Sequence, residues 1–305
     1  MFAYIIRRIF WSIVILLILS LITFSLMHMI PGGPFDREKK LPKEIIANLE
    51  THYHLNEPFW KQYLSYLGGA LHFDLGPSFT YRSRTVNDII RDQAPISAQL
   101  GLFAFLIAVG LGIPLGILGA LKQNTAVDYT CMWIAILGVS IPNMALGPFL
   151  IWIFSLKLNW FPIARWGGIR HIILPAITLG TAYSAIVARL TRASMLQVIR
   201  EDYIRTARAK GLSERIVVLS HALKNALIPV TTVLGPIFAV IITGSMIVEQ
   251  IFAIPGIGKY FVTSVTNRDY PVIMGITLFF GAIIVIANLI VDITYGFLDP
   301  RIRYE

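Results

Sequence analysis

Six long apolar runs constrain this 305-residue chain more than any other feature of its sequence. A helix needs about 20 apolar residues, at about 1.5 Å of rise each, to cross the hydrocarbon core of a bilayer. Runs of about that length lie at residues 9–30, 98–121, 130–155, 172–192, 228–251 and 272–297. Because backbone polar groups inside a bilayer must pair within the protein, the sequence predicts an all-α integral membrane protein with six transmembrane helices.

Two of the runs carry signals for close contact between helices. The fourth run is the least apolar, since it is rich in small and hydroxyl-bearing residues that suit a helix surrounded by other helices. In the second run, Gly112 and Gly116 form a GxxxG pattern with Pro114 between them. This pattern predicts close helix packing with a mild kink.

The composition agrees with a membrane protein, because only 14% of the residues are charged, against about 25% in soluble domains. The net charge of +9 raises the alternative of a nucleic-acid binder. However, residues 31–97 hold eight basic and eight acidic residues, and the excess cations cluster between the apolar runs. That distribution indicates membrane topology and no nucleic-acid partner. Cys131 is the only cysteine, which excludes an internal disulfide and favours a small buried apolar role.

The cations also predict an orientation. The first run follows Arg7 and Arg8 as a signal peptide would, but it is too long and lacks a small-residue cleavage site, so we interpret it as a retained helix. With the N-terminus inside, the cytoplasmic segments hold thirteen cations and the short outer loops hold five. The positive-inside rule therefore predicts a multi-pass protein of the bacterial cytoplasmic (inner) membrane with both termini in the cytoplasm.

Four segments follow from this topology. Residues 1–30 form the N-terminal cytoplasmic end and the first transmembrane helix, and residues 31–93 form an extracytoplasmic segment. Residues 94–297 contain the remaining five helices, with a cytoplasmic loop at 193–227, and residues 298–305 form a cytoplasmic tail. The outer segment has helical apolar spacing, with Pro42 and Pro58 near helix starts and a short amphipathic helix ending at Pro95. Its histidines, at positions 52, 54 and 72, do not have metal-site spacing, so we predict no metal.

The cytoplasmic loop contains an ordered charged segment, residues 201–229. Glu201, Arg205 and Arg208 share one helical face, which predicts an i,i+4 ion pair of Glu201 with Arg205 and a further cation. Ile204, Ala207 and Gly211 lie on another face. The segment further predicts a left-handed turn at Gly211, a helix N-cap at Ser213 and the start of the fifth span at Pro229. The alternative is a positively charged loop that only fixes topology, but such a loop needs neither a helix stop nor a cap.

This charged segment resembles the cytoplasmic loop of ABC importer permeases, in which a short coupling helix docks on an ATPase subunit. In the general importer pattern, E-A-A followed by Gly, Arg205 and Thr206 stand at the Glu and first Ala positions, whereas Ala207 and Gly211 match. The segment is closer to the variant found in peptide and nickel permeases. The resemblance implies a coupling role for Arg205, Ala207, Arg208, Lys210, Gly211, Leu212 and Ser213.

Eight blocks along the chain extend the resemblance to B-type permease subunits of oligopeptide importers. They are IIRRIF, MIPGGPF, LPKEIIANLETHYHLNEPFWKQYLSYL, DLGPSF, ALKQNTAVDYT, IITGSMIVEQIFAIPGIG, NRDYPVIMG and FLDPRIRY. The resemblance implies the type I ABC importer permease fold, with a helical extracytoplasmic insertion between the first and second transmembrane helices. It also implies the partners: a second homologous permease subunit, two cytoplasmic ABC ATPase subunits, an extracytoplasmic peptide-binding protein and membrane lipid.

The expected function is import of oligopeptides by the permease subunit of an ATP-driven transporter. The chain has no G-x-x-x-x-G-K-[ST] phosphate loop and no catalytic constellation, so we predict no enzyme activity, no catalytic residue and no cofactor of its own. The alternatives are a dipeptide, glutathione or nickel permease of the same family, and a stand-alone secondary transporter.

Two acids near the membrane edges are further candidates. Glu249 precedes the helix-breaking residues Pro255, Gly256 and Gly258. One hypothesis is that these residues form an outer gate or a contact with the binding protein. The alternative is that Glu249 is an interfacial acid bonded to nearby backbone. Asp292, near the inner end of the last span, predicts a structural pair with an arginine such as Arg189 or Arg301 in preference to a proton relay.

Overall fold

The computed structural model describes residues 2–31, 33–35, 50–53, 55–81 and 83–298. Pro42, His54 and Arg301, and the side chain of Asp292, lie outside the described residues. The described part is built from helices. They are α1 (Phe2–Met29), α2 (Phe59–Leu71), α3 (Val86–Leu121), α4 (Ala126–Ser140), α5 (Asn143–Leu150), α6 (Ile169–Val198), α7 (Asp202–Ala209), α8 (Glu214–Ile216), α9 (Leu223–Ile242), α10 (Met246–Ile251), α11 (Ile257–Asn267) and α12 (Tyr270–Leu298), with π-helical turns at Ile151–Lys157 and Val217–Ala222.

Five of the described helical stretches are long and apolar enough to cross a membrane, namely α1, α3, α6, Glu214–Ile251 and α12. The pair Ala126–Ser140 and Asn143–Lys157 passes the same test together but is bent by 102°. Counted as one span, the bent pair brings the number to the predicted six. The prediction of an all-α membrane protein is confirmed.

The bend in the third span was not predicted. It occurs at Ile141 and Pro142, where the backbone leaves the helical region (Ile141 φ −93°, ψ 114°). Proline lacks the N–H for an internal helix bond and disfavours helical geometry at the preceding residue. The turn lies close to α6, because a Cβ added to Gly138 would lie 2.6 Å from the carbonyl oxygen of Thr181.

Close contact between α3 and α6 forms the centre of the protein. A Cβ on Gly112 would lie 2.6 Å from Cβ of Val187, and one on Gly116 would lie 2.5 Å from Cβ of Thr191. From the other side, a Cβ on Gly180 would lie 2.5 Å from the carbonyl oxygen of Ala104. The predicted GxxxG contact is confirmed, and α6 is the most buried of the five spans, as its small residues predict.

Two proline-based helix boundaries were wrong. The predicted amphipathic helix does not end at Pro95, because α3 runs from Val86 through Pro95 and Pro114, across the predicted segment boundary at residues 93 and 94. Likewise, Pro229 lies inside α9 and does not start a span. Membrane helices tolerate an internal proline where neighbouring helices hold the flanking turns in place. The true start of α3 is a capping box, in which Thr85 and Asp88 each accept the other's backbone N–H.

The helix contact predicts a contrast between two glycines of α3. Gly116→Ala should destabilise the protein by about 1–3 kcal/mol, because the new methyl group overlaps Thr191 and the backbone of Ala188. Gly110→Ala should be neutral or stabilising, since a Cβ there meets nothing within 4 Å and alanine favours a helix. Thermal unfolding in detergent measures both. Equal unfolding temperatures for the two variants would contradict the close contact.

Candidate functional site

The charged segment folds as two helices joined by a tight turn. Glu201 occupies the N-cap position of α7, and the helix ends with Lys210 as its C-cap. Gly211 then adopts a left-handed conformation, with φ +76°. Ser213 stands at the N-cap position of α8 in an extended conformation (φ −62°, ψ 145°), although its side chain makes no capping hydrogen bond. The predicted turn at Gly211 and helix start after Ser213 are confirmed.

One face of α7 fixes the segment to the membrane helices. Ile204 is fully buried and Ala207 is 6% exposed. They contact a cluster that includes Met195 of α6 as well as Val217 and Ala222 of the following helix. Ala207 is therefore a supporting residue of the segment and does not lie at its surface. The segment is held in a defined position, in contrast to a loop that only carries charge.

Two ion pairs lie at the surface of the charged segment, and one of them spans the turn at Gly211. Nε of Arg208 lies 2.6 Å from Oε1 of Glu214, which joins α7 to α8 across the turn. Arg205 lies 3.4 Å from Asp202, in place of the predicted partner Glu201. Glu201 is the N-cap with an extended backbone (φ −67°, ψ 147°), and its carbonyl oxygen accepts the backbone N–H of Arg205 at 3.3 Å.

The tip of the segment faces outward. Lys210, Gly211, Leu212 and Ser213 are all exposed, as is the side chain of Arg205 at 73%. A protruding, cationic tip on a rigid base is suited to fit a recess in another protein.

At the other end of the molecule, Glu249 of α10 is fully buried. Ser97 of α3 donates a 2.7 Å hydrogen bond to Oε1, and the backbone N–H of Lys259 donates a 2.9 Å bond to Oε2. The hydroxyl of Ser97 in turn accepts the N–H of Ile257 at 2.9 Å. Of the two predicted alternatives, this geometry matches an acid bonded to nearby backbone.

The helix-breaking residues after α10 wrap around this carboxylate. A Cβ on Gly256 would lie 2.5 Å from Cδ of Glu249, and one on Gly258 would lie 3.0 Å from Oε2. Glycines are needed at these positions because the backbone itself binds the carboxylate. Pro255 directly precedes this turn and α11 starts at Ile257. In this conformation the carboxylate of Glu249 joins α3, α10 and α11 and cannot contact an external protein directly.

An ion pair that the sequence analysis missed joins α4 to α6. Asp128 is 2% exposed, and its two carboxylate oxygens each lie 2.6 Å from a guanidinium nitrogen of Arg192. The backbone N–H of Asn124 donates to Asp128 as well, at 3.0 Å. Such bidentate pairs fix geometry as well as charge. The available signal was the lone acid at the start of an apolar run, in the ALKQNTAVDYT block.

Asp269 is a second acid that was missed. It is fully buried just before α12 and accepts hydrogen bonds from the hydroxyl of Ser78 (2.5 Å) and the N–H groups of Phe79 and Thr80 (3.0 Å each). The outer segment is thereby attached to the start of the last span. Burial, together with Tyr260 and Asp269 nearby, raises the pKa of Tyr81. Asp269 belongs to the NRDY block and Ser78 to the DLGPSF block.

Within the described residues, no group of three or more His, Cys, Asp and Glu side chains could hold a metal ion. Cys131 is 7% exposed, as its predicted buried role requires.

The Glu249 network predicts a graded loss of stability. Glu249→Ala should leave the hydroxyl of Ser97 and the N–H of Lys259 without their acceptor, at about 1–3 kcal/mol for each buried group. Glu249→Gln retains one acceptor oxygen and should lose less. Thermal unfolding of both variants measures the difference, with Glu201→Ala, an exposed acid, as the control. An unfolding temperature of Glu249→Ala equal to that control would contradict a bonding role for the carboxylate.

Comparison with known proteins places this arrangement in a family. The model described as "Binding-protein-dependent transport system inner membrane component" matches residues 112–304, and the model of the corresponding N-terminal region matches residues 1–101. The chain is 47% identical to the oligopeptide transport system permease protein OppB of Escherichia coli (strain K12), over 100% of both chains. It is 48% identical to the dipeptide transport system permease protein DppB of Bacillus subtilis (strain 168), over 98% of this chain and 97% of that one.

Two solved structures show the same fold at low sequence identity. A chain of an amino acid ABC transporter with histidines is similar with a TM-score of 0.55 and 16% identity, over 69% of this chain and 94% of that one. A chain of the MetNI methionine ABC transporter in an inward-facing conformation has a TM-score of 0.54 and 16% identity, over 67% of this chain and 95% of that one. These comparisons confirm the predicted permease fold and the resemblance to peptide importer permeases. They also confirm the prediction of a multi-pass inner-membrane transport component instead of an enzyme. The chain belongs to the family of binding-protein-dependent transport system inner membrane components.

Proposed function

We propose that this chain is one permease subunit of an ATP-driven ABC importer that moves oligopeptides across the cytoplasmic membrane into the cell. The observation that carries the proposal is the identity of 47% to an oligopeptide permease over the full length of both chains. A dipeptide substrate is the second candidate, because a dipeptide permease is 48% identical over almost the same length. The ordered charged segment supports an ATP-driven assembly over a stand-alone transporter, since such a transporter has no ATPase to dock.

The proposed assembly contains three kinds of protein partner. A second homologous permease subunit completes the pathway between the two chains, and two ATPase subunits dock on the cytoplasmic side. A peptide-binding protein delivers substrate on the outer side, where the segment from residue 31 to residue 93 shapes the mouth of the pathway. In this arrangement both termini lie in the cytoplasm, which places the cation-rich loops inside.

Coupling to ATP hydrolysis is proposed to run through the charged segment. Its exposed residues Lys210 to Ser213 enter a cleft on the ATPase, while Ile204 and Ala207 hold the segment against α6 and α9. From Glu214 the chain is helical without a break through Pro229 to Ile242. A displacement at the tip is therefore carried into the fifth span as a rigid-body movement.

The orientation predicts opposite labelling of two exposed positions. Thr266→Cys, on α11, should react with a membrane-impermeant maleimide added outside intact cells, and Ser213→Cys should react only after the membrane is permeabilised. The parental chain is the blank, because its single cysteine is buried. Labelling of Ser213→Cys from outside would contradict the proposed orientation.

The proposed coupling predicts that Gly211→Val impairs transport more than folding. Its φ of +76° is disfavoured for a β-branched residue by about 1–2 kcal/mol, although a Cβ would meet no atom within 4 Å. The turn should therefore change and tilt α7 relative to α8. We expect normal abundance, weaker co-purification with the ATPase subunits, and loss of ATP-dependent uptake of labelled peptide in reconstituted vesicles.

Gly211→Asn is the matched control, because asparagine tolerates the left-handed region. It should retain both association with the ATPase subunits and uptake of peptide.

Comparing the uptake of dipeptides and pentapeptides by the parental assembly distinguishes the two candidate substrates. Uptake by Gly211→Val at the parental rate would contradict the coupling role, and parental uptake without ATPase subunits would contradict the ATP-driven assembly.

A further inference from the structure

Helix α2 of the outer segment has three different faces. Tyr63 and Tyr66 contact the cluster formed by α1 and α12, and Lys61 and Ser65 form an exposed polar face. Between these two lies a third face that is apolar and that no other described residue covers. Its exposed members are Trp60 (62%), Leu64 (58%) and Leu71 (80%). At 3.6 residues per turn these three positions, with Leu67, form one continuous stripe.

The contacts of α2 with α1 show how deep it lies. The hydroxyl of Tyr63 is 2.8 Å from the hydroxyl of Ser20 and donates to the carbonyl oxygen of Leu17 at 3.3 Å. The side chain of Gln62, on the adjacent face, contacts α1 at His28, near the end of that helix, at 3.2 Å. With His28 at the edge of the hydrocarbon, Ser20 lies about 12 Å deeper. Even allowing for the length of a tyrosine side chain, α2 lies below the end of the first span.

The loop after α2 lies at a similar depth against α12. A Cβ on Gly275 would lie 3.3 Å from Cδ1 of Leu75. Gly275 is five residues into α12, about 7 Å from the outer end of that span. Phe73, two residues before Leu75, is 86% exposed. The chain then reaches the outer end of α12, where Ser78 bonds to Asp269. Two independent contacts, one on each span, thus place this part of the outer segment beside the end turns of α1 and α12.

We infer that α2 lies in the outer interface of the bilayer, with Trp60, Leu64, Leu71 and Phe73 among the acyl chains of the outer-leaflet phospholipids. The neighbouring helix α1 is also apolar at its surface, since Leu17, Leu21 and Ile22 are exposed. An exposed apolar face of this size is unfavourable in water, whereas an amphipathic helix beside a span gains from burial in lipid. Tryptophan favours this interface, and Lys61, which is paired with Glu57 at 2.8 Å, faces the water side.

The inference predicts which solvent reaches each face of α2. The fully assembled transporter is reconstituted in phosphatidylethanolamine–phosphatidylglycerol vesicles, with a bimane fluorophore attached at Leu64→Cys, Leu71→Cys or Lys61→Cys. Brominated phospholipids should remove most of the emission at the first two positions, and aqueous iodide should do so at the third. The parental chain is the labelling blank, because Cys131 is buried.

Two outcomes would overturn the inference. Quenching by iodide at all three positions would place α2 in water. Protection of positions 64 and 71 from both quenchers would show that protein covers the stripe, either the second permease subunit or the binding protein.

A charge substitution gives a second readout that does not depend on the label at position 64. Leu64→Glu should lift α2 from the membrane, so that a bimane at Leu71→Cys loses its quenching by brominated lipid. Ser65→Glu, which places the same charge on the polar face, should leave that quenching unchanged. Equal quenching in the two variants would overturn the inference, and the amount of assembled transporter confirms that both are folded.

Discussion

The close contact between α3 and α6 determines the position of the other elements. Lipid tails are as apolar as leucine, so helices in a bilayer are held together by close packing between small residues and not by exclusion of water. Gly112 and Gly116 on α3 and Gly180 on α6 allow that approach, since a Cβ at any of them would lie within about 2.6 Å of the other helix. α3 has further contacts at Ser97, which bonds to Glu249, and at Gly119 near its C-terminal end, where a Cβ would lie 3.1 Å from Oδ1 of Asp128.

Three buried carboxylates connect the peripheral elements to this centre. Glu249 joins α10 and the turn before α11 to α3, Asp269 attaches the outer segment to α12, and Asp128 links α4 to α6 through Arg192. An unpaired carboxylate at such positions would be strongly unfavourable, and each of these is satisfied by hydrogen bonds from backbone, hydroxyl or guanidinium groups. Their directional bonds give the bundle defined ends, which apolar contacts alone do not.

The two ends of the bundle differ in a way that suits the proposed transport cycle. On the side that we propose to be cytoplasmic, the charged segment is anchored by Ile204 and Ala207 and presents a small exposed tip. In the proposed cycle, this tip receives a movement from an ATPase and passes it to the helix that begins at Glu214. On the opposite side, which we propose to be the outer one, α2 lies against α1 and, as we infer, in lipid. The first span and α2 would then form a fixed outer edge beside the moving spans.

The sequence by itself determined the features that depend on local composition. Six apolar runs predicted the spans, the GxxxG pattern predicted the central helix contact, and Gly211 with Ser213 predicted the turn of the charged segment, because each signal lies within a few consecutive residues. The eight quoted blocks predicted the family. Only the tertiary structure decided the bend at Ile141 and Pro142, the unbroken helices through Pro95 and Pro229, and the partners of the buried acids. A proline breaks a helix or is tolerated according to its neighbours in space, and the hydrogen bonds of Glu249 to Ser97 and of Asp269 to Ser78 join residues 152 and 191 positions apart in the chain.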